Sequence, residues 1–444
     1  MASVAPLKPL RYAKTSALAQ LVAPPYDVIG EAERGQLAAR HQHNVVRLIL
    51  PRPAAGAEES TKYAEAARIL AGLREDGALV RDEEPAFYGF SQAFANPVTG
   101  APVRRRGFLG LVRLQPFSDR VILPHERTLS GPKVDRLSLF RSTQTNLSPG
   151  FMLYRDPAGA LEPALASGVE LAQFTTRSVS EKSEIKNQLT KIADPAAVRS
   201  IVAHLRERQL LIADGHHRYE TALGYAREIE EKIGPTPEDA EHKWFMVFFA
   251  NEDDPSLLVL PTHRLVYGVA AKVGFDEMLA RIADAFVATP IERGQAVAKL
   301  AEAGKQGPAL VVADRARTVL LTGKPGFDAA AHPTLGQRPP SLRGTDVAIL
   351  HAVVLEHALS ISLEAQAKQT NLTYLKDAEE ALGQIARGEG DFLFLMNATP
   401  VSQVRAVAEE GEVMPQKATY FYPKVLTGLA IHTLDPERRV AASW

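Results

Sequence analysis

The chain has 444 residues, 45% of them hydrophobic and 23% charged, which is the composition of a folded protein with more than one core. Its 51 Lys and Arg residues nearly cancel 52 Asp and Glu residues, so the chain as a whole is not the polycation that nucleic-acid binding favours. The absence of cysteine excludes disulfides, thiolate metal ligands and cysteine nucleophiles.

The sequence shows no targeting or membrane signal. Its first twenty residues lack a basic start followed by an apolar stretch, and nowhere do 18 apolar residues follow one another. We therefore expect a cytoplasmic protein with no membrane partner.

The N-terminal part mixes helix and strand patterns. Residues 61–75 place apolar side chains at spacings of three and four, which predicts a helix with one apolar face. Residues 85–94 and 104–117 are apolar runs joined by a turn rich in Pro and Gly, which predicts a β-hairpin.

Before these elements, the stretch APPYDV contains two consecutive prolines. Pro24 and Pro25 stiffen the backbone and could present Tyr26 and Asp27 to a substrate. A purely structural turn is the alternative that the same residues allow.

A long polar connection, residues 118–150, follows the hairpin and is dense in charge, Gly and Pro. We expect one short helix in it from about Val134, after an unusual backbone at residues 130–132. Connections of this length are usually functional or disordered. We also expect the first half of the connection to fold toward Gly215, which would bring a base and a phosphate site together.

The side chains of this connection suit proton transfer and phosphate binding. His125 or Glu126 can act as a general base when it lies within hydrogen-bond reach of a hydroxyl group. Lys133 and Arg136 can neutralise phosphate charge. The alternative is an exposed loop whose charges pair with one another.

The middle of the chain has regular α/β signals. Residues 194–209 begin with an Asp cap and a Pro at the first helical position, which predicts a helix. The apolar run 210–213 predicts a buried strand, a second helix starts almost at once after it, and residues 244–250 predict a central strand.

The segment Asp214 to Arg218 lies where that strand turns into a helix. A helix N-terminus offers backbone N–H groups and partial positive charge, which favour an anion. Gly215 lets the backbone approach a ligand closely. His216 and His217 add donors, and Arg218 can hold a phosphate at two points. The pattern predicts a phosphate-binding cradle.

Two other interpretations of the same residues remain open. Asp214 could cap the helix while the histidines face solvent. Asp214, His216 and His217, joined by His125 and Glu126, could instead hold a divalent ion, although the neighbouring arginine would oppose a cation.

The C-terminal part begins a new section near Val273. Helices are expected at about 275–286 and 295–304, and residues 309–323 read as a hairpin. The Gly- and Pro-rich stretch 323–344 is the best linker candidate of this half.

Near the C-terminus, MPQKATYFYPK alternates polar and apolar residues, as on a strand with one wet face. The polar residues of that face are Lys417, Thr419, Tyr422 and Lys424. Of these, Lys417 and Tyr422 are the candidate substrate-binding residues, as Tyr26 and Asp27 are near the N-terminus. An ordinary edge strand is the alternative.

These elements together predict a mixed α/β fold. We expect an N-terminal α/β unit over residues 1–270, which includes the phosphate-binding motif, and a C-terminal α/β unit over residues 271–444.

The sequence resembles the bacterial and archaeal family catalogued as Domain of Unknown Function family 1015. The resemblance covers nearly the whole chain and is carried by the motifs APPYDV (23–28), LPHERTLSGPKVDRL (123–137), ADGHHRYETAL (213–223), LPTHRLV (260–266) and MPQKATYFYPK (414–424). Its Asp-Gly-His-His-Arg stretch is similar to the helix start that grips nucleotide phosphates in the ParB and sulfiredoxin-like fold. This shorter resemblance implies a ParB/sulfiredoxin-like central part, and some members of that fold phosphorylate free serine.

The resemblance and the residues together suggest phosphoryl transfer to a small hydroxylated metabolite, such as serine, from a nucleotide or pyrophosphate donor that carries Mg²⁺. Glu126, His125 and Asp214 are the candidate catalytic residues. A ParB-like nucleotide-binding regulator is one alternative, although the sequence offers no persuasive helix-turn-helix. A phosphatase using the same anion site, for example on phosphoserine, is another. The oligomeric state stays open.

Overall fold

The structure of the chain is a computed structural model that describes residues 1–126, 130–177 and 183–442. Helices and strands are interleaved along these residues, which confirms the predicted mixed α/β class. The described residues divide into two compact units: unit 1 comprises 1–124, 130–177, 183–258 and 423–442, and unit 2 comprises 125–126 and 259–422. No helix in these described ranges is both long and apolar enough to cross a membrane.

Unit 1 is built around one large mixed sheet. In chain order, the strands of unit 1 are β1 (Val4–Ala5), β2 (Leu10–Tyr12), β3 (Leu79–Arg81), β4 (Phe87–Ala95), β5 (Pro102–Arg113), β6 (Ile122–Leu123), β7 (Thr145–Asn146), β8 (Gly150–Tyr154), β9 (Val169–Arg177), β10 (Glu184–Ile192), β11 (Leu210–Asp214), β12 (Trp244–Asn251) and, near the C-terminus, a two-residue strand (His432–Thr433) that pairs with β7. Over the described residues the sheet has nine strands in the order β6-β11-β8-β12-β5-β4-β10-β9, with β1 paired to β5. The pairs β11–β6 and β12–β8 are parallel, and β11 is antiparallel to β8.

The helices of unit 1 are α1 (Leu18–Leu21), α2 (Glu31–Arg40), α3 (Val46–Ile49), α4 (Lys62–Glu75), α5 (Ser130–Thr143), α6 (Glu162–Ala166), α7 (Pro195–Arg206) and α8 (His216–Ile233). The start of α7 follows the expected capping chemistry, because the Asp194 side chain accepts a hydrogen bond from the Ala197 amide at 2.8 Å. The apolar faces of α7 and α8 pack in one core with alternate residues of β12, namely Phe245, Val247 and Phe249.

Unit 2 has a six-stranded sheet. The strands of this part are β13 (Leu258–Leu260, at the boundary of the unit), β14 (His263–Val266), β15 (Phe286–Pro290), β16 (Ala309–Ala313), β17 (Thr318–Gly323), β18 (Leu372–Leu375), β19 (Phe392–Met396) and β20 (Tyr420–Tyr422). Within the described residues the order is β15-β17-β16-β19-β14-β18, and each neighbouring pair is antiparallel.

The helices of unit 2 are α9 (Phe275–Arg281), α10 (Ala296–Ala303), α11 (Pro340–Arg343), α12 (Asp346–Ile349), a π-helical segment (Leu350–Ala358), α13 (Leu363–Lys368), α14 (Ala378–Ala386) and α15 (Val401–Glu409). Side-chain alternation along β19 explains how they are arranged. Leu393 and Leu395 join a core with α10 and α14, whereas Phe392 and Phe394 join a core with α9 and the π-helical segment. Helices therefore cover both faces of the unit 2 sheet.

Most of the predicted elements occur at their expected places. The predicted helix at 61–75 is α4, the first hairpin is β4–β5, the second is β16–β17, and the predicted central strand is β12. The helix expected at 275–286 is shorter, because α9 ends at Arg281.

Two local predictions were wrong. The helix of the long connection begins at Ser130 rather than near Val134, so residues 130–132 are helical, with proline in the first turn where its missing N–H is tolerated. In MPQKATYFYPK only Tyr420–Tyr422 forms a strand, and all three of its residues are buried, so it has no wet face. Residues 127–129 of the connection, on which part of its expected folding depends, lie outside the described residues.

Candidate functional site

The turn between β11 and α8 is the centre of the candidate site in unit 1. Gly215 adopts φ 95°, a left-handed conformation that favours glycine. A Cβ atom at this position would lie 3.0 to 3.1 Å from three guanidinium atoms of Arg218. Glycine is thus required both by the backbone and by the arginine that passes beside it.

Asp214, Arg218 and Lys424 form a group that we call the Asp214 cluster, in which Arg218 is buried and the other two residues are partly buried. Arg218 and Lys424 each donate a hydrogen bond to a different carboxylate oxygen of Asp214. Arg218 also donates to the carbonyl of Pro149, just before β8, and only 5% of this arginine is exposed. The cluster therefore joins three distant parts of the chain within unit 1.

The electrostatics of the cluster keep Asp214 ionised. Burial alone would raise the pKa of this carboxyl group, but the charges of Lys424 and Arg218 outweigh burial and hold the pKa well below its usual range. His216, buried at the start of α8, acts on the pKa of Asp214 in the same direction. At neutral pH Asp214 is a carboxylate balanced by the two cations that bind it.

The predicted donors of the cradle differ in their surroundings. The Arg218 guanidinium binds Asp214 and a main-chain carbonyl, so it supports the turn. His217 is only partly buried, and its carbonyl accepts a hydrogen bond from the Thr221 hydroxyl at 2.7 Å. Phosphate binding by these residues stays a prediction.

A second cation lies beside the N-terminal motif. Tyr26 is in a 3₁₀ turn (Tyr26–Val28) that follows Pro25, and the guanidinium carbon of Arg136 is 4.1 Å from the centre of its ring. Arg136 is held by the Ile49 carbonyl at 2.7 Å and by the Asp135 carboxylate. This interaction joins α5 to the APPYDV segment.

The Tyr26 hydroxyl is within electrostatic reach of the Asp214 cluster. Burial raises the pKa of Tyr26, Asp27 raises it further, and the charges of Arg218 and Arg136 oppose that rise. The structure therefore brings together four of the residues that the sequence singled out: Tyr26, Arg136, Asp214 and Arg218. Asp27 itself is exposed.

Lys133 lies on α5 and forms an ion pair with Glu220 of α8. These two helices pack against each other, so the pair joins the connection to the helix that begins at His216. Lys133 is about one third exposed, at 36% of its side chain, which leaves it open to a solvent-borne ligand.

A polar pocket of about 410 Å³ lies next to Arg136. Its volume is within the range of small-molecule sites. Its charged lining comprises the cations Arg34, Arg52, Lys62 and Arg136 and the carboxylates Glu31, Glu59 and Asp135. A separate water-sized cavity of about 30 Å³ has Lys424 in its wall.

The remaining candidate residues belong to unit 2. His125 is buried, and its Nε2 is 3.0 Å from the Thr419 hydroxyl. Glu126 forms a β-bridge with Met414. Lys417 is exposed with φ 56°, and Tyr422 is buried in β20. A joint role of His125 or Glu126 with the Asp214 cluster stays a prediction.

Metal ligation was the other interpretation of the histidine pair. In the part of the chain that the structure describes, no three His, Asp or Glu side chains come together as metal ligands. Asp214, which that interpretation requires, is bound instead by Lys424 and Arg218.

The sequence places Lys424 on the predicted wet face of MPQKATYFYPK but does not single it out, because Lys417 and Tyr422 are the residues of that face expected to bind a substrate. Lys424 and Asp214 are 210 residues apart, and no local pattern announces that contact. The Pro149 carbonyl could not be found from the sequence either, because main-chain acceptors leave no signal in side-chain chemistry.

Comparison with known proteins gives a family and a set of distant structures. The family model described as "Protein of unknown function (DUF1015)" matches residues 4–348. No curated protein matches the chain in sequence.

Similar solved structures include a conserved hypothetical protein from Pyrococcus furiosus, with 16% identity, TM-score 0.34, and coverage of 72% of this chain and 93% of that one. A free serine kinase variant in complex with ADP has 13% identity, TM-score 0.35 and coverage of 71% and 90%. SbnI from Staphylococcus aureus, truncated at its C-terminus, has 12% identity, TM-score 0.34 and coverage of 72% and 85%. At such TM-scores these likenesses carry no argument about activity.

Proposed function

This chain belongs to the DUF1015 family, and from the Asp214 cluster of unit 1 we propose that it transfers a phosphoryl group to a small hydroxylated metabolite. The observation that carries the proposal is the pairing of the Asp214 carboxylate with two cations, Lys424 and Arg218, at the start of an 18-residue helix. Serine is the acceptor that the sequence resemblance suggests, and a nucleotide or pyrophosphate is the donor.

Charge supports a phosphate-bearing donor. Two cations of the cluster face one carboxylate, so the cluster has a net positive charge, and the N-terminus of α8 adds partial positive charge at the same turn. Arg136, beside Tyr26, adds another cation within unit 1. A polyanionic ligand is the partner that such a field attracts.

The cluster also suggests a role for Asp214. A carboxylate whose pKa is held well below its usual range is a poor proton acceptor at neutral pH. We therefore assign it to positioning Lys424 and Arg218. Lys424 then contacts the donor phosphates, and Arg218 fixes the turn around Gly215.

The proposed reaction transfers the terminal phosphoryl group of the donor. The acceptor oxygen forms a bond to phosphorus while the bridging P–O bond breaks, and the shortened donor leaves with the electrons of that bond. The hydroxyl proton passes to a base, for which Glu126 and His125 are the sequence-based candidates. Mg²⁺ would arrive with the donor, held chiefly by phosphate oxygens.

A product assay tests this proposal. The full chain is incubated with Mg²⁺, with ATP, ADP or pyrophosphate, and with a pool of hydroxylated metabolites that includes serine, and phosphorylated products are measured by mass spectrometry. Glu126→Gln should reduce turnover by about a hundredfold or more with donor binding nearly unchanged, since an amide cannot accept the proton. His125→Ala is the matched variant for the competing base.

The same assay separates the alternatives. Release of phosphate from phosphoserine without any phosphorylated product would replace the proposal with a phosphatase. Tight nucleotide binding without turnover in either direction would replace it with a nucleotide-binding regulator.

A further inference from the structure

Unit 2 buries an arginine that has only neutral partners. Arg264 in β14 is 1% exposed. Its Nη1 donates to the Thr262 carbonyl and to the Met396 sulfur at 3.0 Å, and its Nη2 donates to the Lys417 carbonyl at 3.3 Å. Each of these acceptors is uncharged.

No Asp or Glu of the described residues forms an ion pair with Arg264, and its Nε has no hydrogen-bond partner among them. Burial lowers the pKa of Arg264 to about 10, which still leaves it protonated at neutral pH. A full positive charge thus lies in the protein interior without a countercharge, an arrangement that strongly destabilises a fold unless something compensates it.

Another arginine of the same unit shows the usual arrangement. Arg405 in α15 is 5% exposed, and its Nη1 lies 3.5 Å from the Glu409 carboxylate one helical turn away. The two arginines are buried to similar degrees, so burial by itself does not explain why Arg264 lacks a carboxylate partner.

The unused atoms of Arg264 have the geometry of an oxyanion site. Nε and Nη2 point from one edge of the guanidinium, and this edge accepts two oxygens of a carboxylate or phosphate side by side. In Arg264 the Nε–H is unused within the described chain, and Nη2 makes only its 3.3 Å bond to a carbonyl. We call this the Arg264 edge.

Other groups near the Arg264 edge also have unused polar atoms. The Tyr374 ring lies over the guanidinium at 5.2 Å, and its hydroxyl is buried without a partner in the described part of the chain. His351, in the π-helical segment, has its Nδ1 2.8 Å from the side-chain oxygen (Oε1) of Gln366, while no described residue bonds its Nε2. π-Helical segments are rare in proteins, and those that occur are often found at functional sites.

We propose that unit 2 binds a small oxyanion, a carboxylate or a phosphate, on the Arg264 edge, with the Tyr374 hydroxyl as an additional donor. The proposal goes beyond phosphoryl transfer. Its residues belong to unit 2, whereas the Asp214 cluster belongs to unit 1, so either site can exist without the other.

Nuclear magnetic resonance of the full chain labelled with ¹⁵N-arginine tests this inference site by site. The Nε–H signal of Arg264 is identified by its loss in Arg264→Lys, and inorganic phosphate and acetate are titrated separately. We expect a saturable downfield shift of this signal with at least one of the two anions, and the anion that produces it identifies the ligand class. The Arg405 signal should stay in place, and the Arg218 signal reports on unit 1 independently.

If neither anion moves the Arg264 signal, the edge is satisfied by water and the proposal is wrong, whatever the Arg218 signal does. Should Arg264→Lys fail to fold, Tyr374→Phe supplies the second test, because it removes one donor and keeps the ring. It should shift the Arg264 signal through the altered ring and weaken binding of the active anion roughly two- to tenfold, the range for one neutral hydrogen bond. Unchanged binding in Tyr374→Phe would contradict the role given to its hydroxyl.

Discussion

In unit 1 the carboxylate of Asp214 lies between the cations of Lys424 and Arg218, whereas in unit 2 the guanidinium of Arg264 contacts only neutral acceptors. The first group is balanced by the chain itself, so it can be rigid before any ligand arrives. The second is unbalanced, so a bound anion would stabilise the folded state directly by mass action. A buried charge therefore signals a ligand site most clearly where the protein does not neutralise it.

The largest effect is expected from breaking the balance in unit 1. Asp214→Asn leaves the buried cation of Arg218 and the partly buried cation of Lys424 without their countercharge, and it should lower the free energy of unfolding by about 3 to 5 kcal/mol. Urea unfolding monitored by circular dichroism at pH 7 measures the difference.

Asp276→Asn is the matched control. Asp276 also pairs with an arginine, Arg317, at 2.7 Å, but its side chain is 86% exposed, so the loss should be at most about 1 kcal/mol. Equal losses in the two variants would mean that burial of the Asp214 cluster does not matter to stability.

The next largest effect is a pH dependence of stability that comes from a buried histidine of unit 2. Burial, then the charge of Arg264, lowers the pKa of His351 to about 3, whereas the pKa of the unfolded residue is about 6.5. The unfolded chain therefore takes up the proton first, and the stability that neutral His351 contributes above pH 6.5 is lost as the pH falls toward 3. Between pH 7 and pH 5 the loss should be about 2 kcal/mol.

His351→Gln should remove that part of the pH dependence, which urea titrations at the two pH values would show. His263 in β14, whose pKa burial lowers to about 4, should contribute a loss in the same window. The depressed pKa of Asp214 acts only below about pH 4, because the unfolded carboxyl group titrates there. A variant whose stability falls between pH 7 and pH 5 as steeply as the wild type would contradict the neutral, buried state of His351.

A smaller effect tests the turn itself. Gly215→Ala places a Cβ in a left-handed conformation and against the Arg218 guanidinium, and it should cost about 1 to 2 kcal/mol. Gly224 lies inside α8, the helix that follows Gly215. A Cβ atom at position 224 would meet no atom within 4 Å, so Gly224→Ala should stabilise the chain by about 0.5 to 1 kcal/mol. Thermal unfolding of both variants gives the comparison, and the same sign for both would refute the strain assigned to Gly215.

The sequence predicted local features well where one short stretch contains the whole cause. Asp194 followed by proline predicted the start of α7, and the apolar run before Asp214 predicted β11. The contacts that form the site join residues far apart in the sequence. Lys424 binds Asp214 across 210 residues, and Arg136 of α5 packs on Tyr26 near the N-terminus. Side-chain chemistry identified most members of the site, but only the fold could decide which of them meet.

For the same reason, the sequence did not identify Arg264 as a candidate ligand-binding residue. Its neighbour His263 is a core histidine whose Nδ1 accepts the Met396 amide at 3.2 Å, and the LPTHRLV motif resembles an ordinary buried strand. A missing countercharge is a property of the whole surroundings, since any of the 52 Asp and Glu residues could have supplied it. Only the arrangement in space shows that none of the described ones does.

The most direct measurement for the central claim, a phosphate site at the Asp214 cluster, is isothermal titration of ATP, ADP and pyrophosphate with Mg²⁺ into the wild type and into Lys424→Met. The wild type should bind at least one of these donors in a one-to-one complex. Lys424→Met, with folding checked by circular dichroism, should bind the same donor about tenfold or more weakly, as expected for loss of a charge-assisted hydrogen bond. Absence of binding by the wild type, or equal affinity in the folded variant, would contradict the account.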